Sequence, residues 1–217
     1  MSKADIIQRL TAGKLIAMLQ ADSAAEIDTI ANALTAGGIS AWELPLTCPA
    51  IPKFLESVAD QHPDFLFGLG TVIDTDTARR GILAGARFLS TPALRPDVIL
   101  LCRRHQVPVI CGAHSTEEIE AALLVGADAV KLYPSTDRFG PTHVREVRAK
   151  FPDALLFPVG GVSADNAQDF SKAGADALFV SSSLRATDDT SAIDHRLVSE
   201  RAREIADGFR FNTNSSK

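Results

Sequence analysis

STEEIEAALLVGADAVKLYPS, residues 115 to 135, is the stretch that decides the fold. Its first part has a capped, amphipathic helical pattern that stops at Gly126-Ala127. Its last part, AVKLYPS (129 to 135), reads as a strand. Ala129, Val130, Leu132 and Tyr133 suit a buried, pleated element, whereas Lys131 does not. The same plan recurs along the chain. DTDTARRGILAGA ends at Gly85-Ala86, and SADNAQDFSKAGA ends at Gly174-Ala175. DSAAEIDTIANALTAGG offers Asp22 or Ser23 as N-cap, Glu26 for a capping box and Gly37 as a stop.

Eight apolar runs alternate with these helical stretches. They are KLIAML (14 to 19), SAWELPL (40 to 46), FLFGLGTV (65 to 72), ARFLST (86 to 91), PVICGA (108 to 113), AVKLYPS, LLFPVGGV (155 to 162) and DALFVSS (176 to 182). Near-continuous hydrophobic runs are what parallel strands covered on both faces require. Eight βα units in this length predict a (β/α)8 TIM barrel. An open doubly wound sheet is the alternative, but no GxGxxG opens the first helix. An extra N-terminal helix, Asp5 to Ala12, is expected to cover the barrel bottom. The expected domain is one barrel over residues 1 to 208, with a polar tail over 209 to 217.

Composition excludes several functions. The 217 residues are 46% hydrophobic, enough for a sizeable core, and carry a formal net charge of -5. No basic stripe suggests nucleic-acid binding. No apolar run approaches the ~18 residues of a membrane span. MSKADIIQRL lacks a signal-peptide core, so a cytoplasmic location is expected. The three cysteines, Cys48, Cys102 and Cys111, lack CxxC spacing and suggest neither a disulfide framework nor a zinc site.

In a barrel, chemistry collects at the C-terminal strand ends. Glu43 inside SAWELPL, Lys131 inside AVKLYPS and Thr71 after the GLG of the third strand are therefore the candidates. A lone carboxylate or ammonium in the interior costs several kcal/mol to desolvate, but the two can pair. Lys131 then has two readings. It is a structural ion-pair partner, or a lysine that reaches solvent along its own stem. Alternatively, it is an imine-forming lysine. Burial disfavours the ammonium and frees the amine to attack a carbonyl, with Glu43 moving protons. LLFPVGGVSADN places Gly160-Gly161 before a helix capped at Ser163, and VSSSL (180 to 184) ends the eighth strand. Loops at these two places commonly bind phosphate in barrels.

The chain resembles the class I aldolases of 2-keto-3-deoxy-6-phosphogluconate and its galactonate epimer. The resemblance runs in order from LIAML (15 to 19) through WELPLTCP (42 to 49), GLGTV (68 to 72), AGARFLSTP (84 to 92), ICGAHSTEE (110 to 118), KLYPSTDRFGP (131 to 141) and PVGGVSADN (158 to 166) to SSSL (181 to 184). WELPL and KLYPS followed by FGP look closer to the galactonate branch. The resemblance implies a homotrimer of barrels, no metal or other cofactor, and a reversible cleavage to pyruvate and D-glyceraldehyde 3-phosphate. It implies Lys131 as the imine lysine and Glu43 as general acid/base acting through a water. Thr71 would hold the pyruvyl carboxylate, and Pro92 joins the substrate-binding set. Gly160, Gly161 and Val162, with Ser182, correspond to the phosphate end.

The departures fall on anion-binding positions. Gln20 stands where the family usually has Arg, Thr47 stands where the gluconate branch has a second Arg, and Ser181 replaces a Gly. A guanidinium clamps an anion bidentately and an amide does not. His114 is also atypical, as a surface-loop histidine or a substrate contact. Cys48 and Cys111 fall near the mouth, with packing the simpler reason for them. Four activities follow from these residues: the phosphosugar-acid aldolase, a 4-hydroxy-2-oxoglutarate or other 2-oxo-acid aldolase, a sugar-phosphate epimerase, and a barrel that binds a sugar acid without turnover.

Overall fold

The structure is a computed structural model that describes residues 1–20, 23–45, 62–133, 140–184 and 194–210. Eight short strands carry the apolar runs: β1 Leu15–Met18, β2 Ala41–Pro45, β3 Leu66–Gly70, β4 Phe88–Thr91, β5 Val109–Ala113, β6 Ala129–Leu132, β7 Leu156–Pro158 and β8 Leu178–Val180. All pair in parallel in the order β7-β6-β5-β4-β3-β2-β1-β8. A bridge between Val159 and Phe179 joins the two ends of that order. This is the (β/α)8 barrel.

The described helices are α1 Lys3–Gly13, α2 Ala24–Ala36, α3 Thr75–Leu83, α4 Pro96–Arg104, α5 Thr116–Val125, α6 Pro141–Lys150, α7 Ala164–Ala173 and α8 His195–Arg210. Their boundaries follow from local chemistry. Ser23 caps α2 by accepting from the Glu26 N–H, and Ser115 and Glu118 form a reciprocal capping box on α5. Gly85, Gly126 and Gly174 take φ of 93°, 99° and 96°, which stops the helix and turns the chain into the next strand. The aspartate after the last two of these Gly-Ala pairs is then used. Asp128 accepts from the Val109 N–H of β5, and Asp176 from the Leu156 N–H of β7, each at 2.8 Å. Each satisfies a strand's entering donor at the barrel bottom.

Period-two alternation sorts every strand into an inner and an outer face. Outward residues such as Trp42, Phe67, Leu89, Val109, Val130 and Leu178 pack under the helices. Inward residues Ile16, Ala41, Leu66, Phe88, Ile110, Ala129, Phe157 and Phe179 form a separate core cluster. Ile6 and Leu10 of α1 belong to that inner cluster, so α1 plugs the bottom as the sequence predicts. Glycine makes room in the narrow interior. A Cβ on Gly68 would lie closer than 3.0 Å to the Phe88 ring, and one on Gly70 equally close to the Glu43 carboxylate.

Two details differ from the sequence reading. Ser2 caps α1 through a capping box with Asp5, so the helix begins two residues earlier. Phe209, placed at the head of the polar tail, lies in α8 and is 2% exposed. α8 packs on α2 and α7, and Gly37 permits the approach, because a Cβ there would crowd Ala202 and the Ser199 backbone. The aromatic residue belongs to the core rather than the tail for that reason.

Gly68→Ala should cost about 1–3 kcal/mol by overpacking the inner layer. Urea unfolding should show a lower midpoint with an unchanged slope.

Candidate active site

The upper inner layer of the barrel is polar where the lower layers are not. Lys131 extends inward from β6 and Glu43 from β2. The Lys131 Nζ donates to Glu43 Oε1 at 2.7 Å and Oε2 at 3.0 Å. The two side chains are 12% and 2% exposed, so the pair is nearly dry. Register explains the placement. Glu43 lies beside Gly68 on β3 and beside Met18 on β1, and Gly70 leaves the space its carboxylate occupies. The rest of the Nζ shell is soft or neutral. Met18 Sδ lies at 3.7 Å, Ser90 Oγ at 3.4 Å, and the Phe179 ring centroid at 4.0 Å. The ring face adds cation–π attraction for the ammonium.

Above the pair opens a pocket of about 180 Å³. Lys131, Thr71 and Pro92 line it together, with Ser90, Thr91 and Gly112 on the β4–β5 side. Met18, Val159 and Tyr133 complete the wall. Thr71 sits at φ 60° directly after Gly70. A β-branched residue in the left-handed region is strained, by roughly 1–3 kcal/mol, and such strain concentrates at functional sites.

The remaining sequence candidates divide. Gly160 and Gly161 take φ of 93° and 66° between β7 and α7, and Ser163 with Asn166 caps the helix that follows. Ser181 follows β8, and Ser182 opens a 3-10 turn. All four lie at the same barrel end as Lys131 but outside the lining of this pocket. Val162 is 4% exposed, and its side chain packs in the outer core. Gln20 is exposed, just past β1, and does not line the pocket. Thr47 and Cys48 lie outside the described residues.

The two described cysteines are buried packing groups. Burial is the main cause that pushes the Cys102 thiol up to about 12, and it raises Cys111 as well. His114 is exposed, and its Nδ1 lies 2.8 Å from the Tyr133 carbonyl. A carbonyl only accepts, so Nδ1 carries the proton. His114 thereby ties the end of β5 to the end of β6 rather than lining the pocket. His143 on α6 lies close by. Burial is the first cause that lowers its pKa from 6.5, opposed by the charge of Glu146.

Among the described residues, no group of three or more His, Cys, Asp or Glu forms a metal cage. The sequence reading did not single out Met18, Ser90, Thr91, Gly112, Tyr133 and Val159, which line the pocket, or Phe179, which faces Lys131. For two of them the signal was present as parity: Ser90 shares the inner face with Phe88, as Met18 does with Ile16.

A primary amine at the floor of a barrel mouth, held by a buried carboxylate, equips a barrel for carbonyl chemistry through lysine. That is the chemistry this arrangement can do. Comparison with known proteins narrows it. Residues 6–199 match the family model "KDPG and KHG aldolase", and the chain belongs to this family. It is 31% identical over 157 residues to the 2-dehydro-3-deoxy-phosphogluconate aldolase of Pseudomonas aeruginosa, covering 72% of this chain and 71% of that protein. It is 30% identical over 172 residues to the 2-dehydro-3-deoxy-6-phosphogalactonate aldolase of Escherichia coli, covering 78% and 83%. A solved structure described as "Native KDPGal structure" superposes with a TM-score of 0.82 at 26% identity, over 90% of this chain and 94% of that one.

Two outcomes follow from this geometry. Lys131→Met leaves the Glu43 carboxylate buried and unpaired, and should destabilise the fold by about 3–5 kcal/mol. Adding Glu43→Gln should recover most of that loss in denaturant unfolding. Separately, the neutral form of His143 is favoured by folding. Its contribution is present above the ordinary histidine pKa of about 6.5 and lost as pH falls through the lower folded value. His143→Asn should therefore flatten the melting-temperature profile on the acid side of pH ~6.5.

Proposed function

We propose that the chain is a Schiff-base (class I) aldolase. It cleaves a 2-keto-3-deoxy-6-phospho sugar acid, of the phosphogluconate or phosphogalactonate type, to pyruvate and D-glyceraldehyde 3-phosphate. The observation that carries this reading is the buried Lys131–Glu43 contact of 2.7 Å beneath an open pocket. Membership of an aldolase family supports it, and relatives of both substrate types support the substrate class.

The chemistry follows from the pair. Glu43 takes a proton from the ammonium, and the freed amine attacks the keto carbon. Loss of water gives a protonated imine. A base then removes the C4 hydroxyl proton, C4 becomes the aldehyde, and the C3–C4 electron pair flows into the imine as an enamine. Protonation at C3 and hydrolysis release pyruvate and restore the lysine. The iminium is the electron sink, so the reading needs no metal. It exists only in the covalent complex, so it stabilises the developing enamine rather than free substrate. Thr71 and Pro92, beside Lys131 in the pocket, hold the pyruvyl end. Gly160, Gly161 and Ser182, with backbone donors at a helix start and a strand end, take the far anion. A homotrimer working in the cytoplasm belongs to the same reading.

A second reading, cleavage of 4-hydroxy-2-oxoglutarate or another unphosphorylated 2-oxo acid, is favoured by Gln20. An amide there offers an anion weaker binding than a guanidinium does.

Pyruvate release should be measured from both phosphorylated epimers and from 4-hydroxy-2-oxoglutarate, before and after treatment with a chelator. Chelator-resistant release from a phosphorylated epimer, absent in Lys131→Ala, is expected. Gln20→Arg should shift preference toward phosphorylated substrates. Release from 4-hydroxy-2-oxoglutarate alone selects the second reading, and no release from any of the three overturns both.

A further inference from the structure

Ser90 is a hydroxyl in an unexpected place. It lies inside β4, is 1% exposed, and shares its inner face with Phe88. The inner layer beneath it is Leu66, Phe88, Ile110 and Ala129. A buried hydroxyl needs hydrogen-bond partners. Among the described residues, the partner of Ser90 Oγ is Lys131 Nζ, at 3.4 Å. Gly112, on the strand between β4 and β6, puts no side chain between them. Ser90 also lines the pocket.

Counting hydrogens gives the hydroxyl a direction. The ammonium has three N–H groups, and the two oxygens of Glu43 lie at 2.7 and 3.0 Å. The third N–H is left for Ser90 and Met18. Ser90 accepts through a lone pair, which leaves its own O–H free to donate into the pocket.

We propose that Ser90 is a catalytic residue of imine formation, which donates its hydroxyl hydrogen bond to the oxygen of the carbinolamine. The proposal rests on the aldolase reading. When the Lys131 amine adds to the keto carbon, the C–N bond forms and the proton shed by nitrogen goes to the former carbonyl oxygen. That oxygen is two bonds from Nζ, within reach of a hydroxyl 3.4 Å from Nζ. The C–O bond then breaks and its electron pair leaves with the oxygen. The nitrogen lone pair forms C=N. The proton that completes the departing water comes from Glu43, which took it from the ammonium at the outset. The Ser90 hydrogen bond aligns the oxygen and stabilises the charge developing on it, as an oxyanion donor does.

The test uses the full chain with pyruvate alone in D2O. Exchange of the pyruvate methyl protons, followed by proton NMR, requires imine and enamine formation but no aldehyde. Ser90→Ala should slow exchange roughly 10- to 100-fold, acting on kcat rather than KM. Ser90→Thr, which keeps the hydroxyl, should retain most of the rate. Ser90→Cys, near in size with a weak donor, should be slow like Ser90→Ala, which guards against a folding defect in one variant. Wild-type exchange with an equal rate in Ser90→Ala overturns the proposal and leaves the aldolase reading standing. Ser90→Ala and Ser90→Thr slowed together, with lowered melting temperatures, assign Ser90 to packing and also overturn it. No exchange by the wild type removes the imine reading and the proposal with it.

Discussion

The dry contact between Lys131 and Glu43 is the constraint around which the barrel interior is arranged. Neither charge is tolerable there alone, because removing an ion from water costs several kcal/mol. The pairing fixes β2 and β6 so that both side chains point inward at the same height. It also dictates what the neighbouring strands can carry. Gly70 leaves the volume of the carboxylate. Phe179 faces the ammonium with its ring, and Met18 and Ser90 fill the remaining directions around Nζ. The large inner side chains, Phe88, Phe157 and Phe179, together with the α1 plug, seal the space below. Among the described residues, these groups close the pair off from below, and the pocket opens above it.

This arrangement suits the fold to the proposed chemistry. The lower barrel is an apolar plug that holds register, and the upper layer carries the candidate polar groups on rigid strands. The strand ends differ in what they contribute. β3 delivers the strained Thr71, β4 delivers Ser90 and Pro92, and β6 delivers Lys131 and Tyr133. The His114 bond to the Tyr133 carbonyl holds the ends of β5 and β6 together at the rim. A 2.7 Å contact also lets one proton move from nitrogen to carboxylate without bulk solvent. In the proposed imine cycle, that proton is the one used first and needed back when water leaves.

Much of this was legible in the sequence. Parallel strands covered on both faces are continuous apolar runs, and Gly-Ala stops mark the helix ends, so all eight strands can be found by eye. Lys131 and Glu43 are visible for the same reason: a charge inside such a run contradicts its surroundings. Ser90 and Met18 do not contradict theirs, so they pass for packing until strand register places them against Nζ. Pocket membership is equally hidden, because it joins residues from several strands through pairings that composition does not show. Val162 illustrates the converse. It sits in a motif with a functional reading, yet its side chain packs outward. Phe209 fell to the expected tail because it closes a polar-looking end and acquires meaning only from its contact with the core.

The most direct measurement is to incubate the protein with pyruvate and borohydride, digest it and map the adduct by mass. The account predicts one peptide gaining the mass of reduced pyruvate at Lys131, and no gain in Lys131→Ala. An unmodified wild-type protein, or an adduct at another lysine, would contradict it.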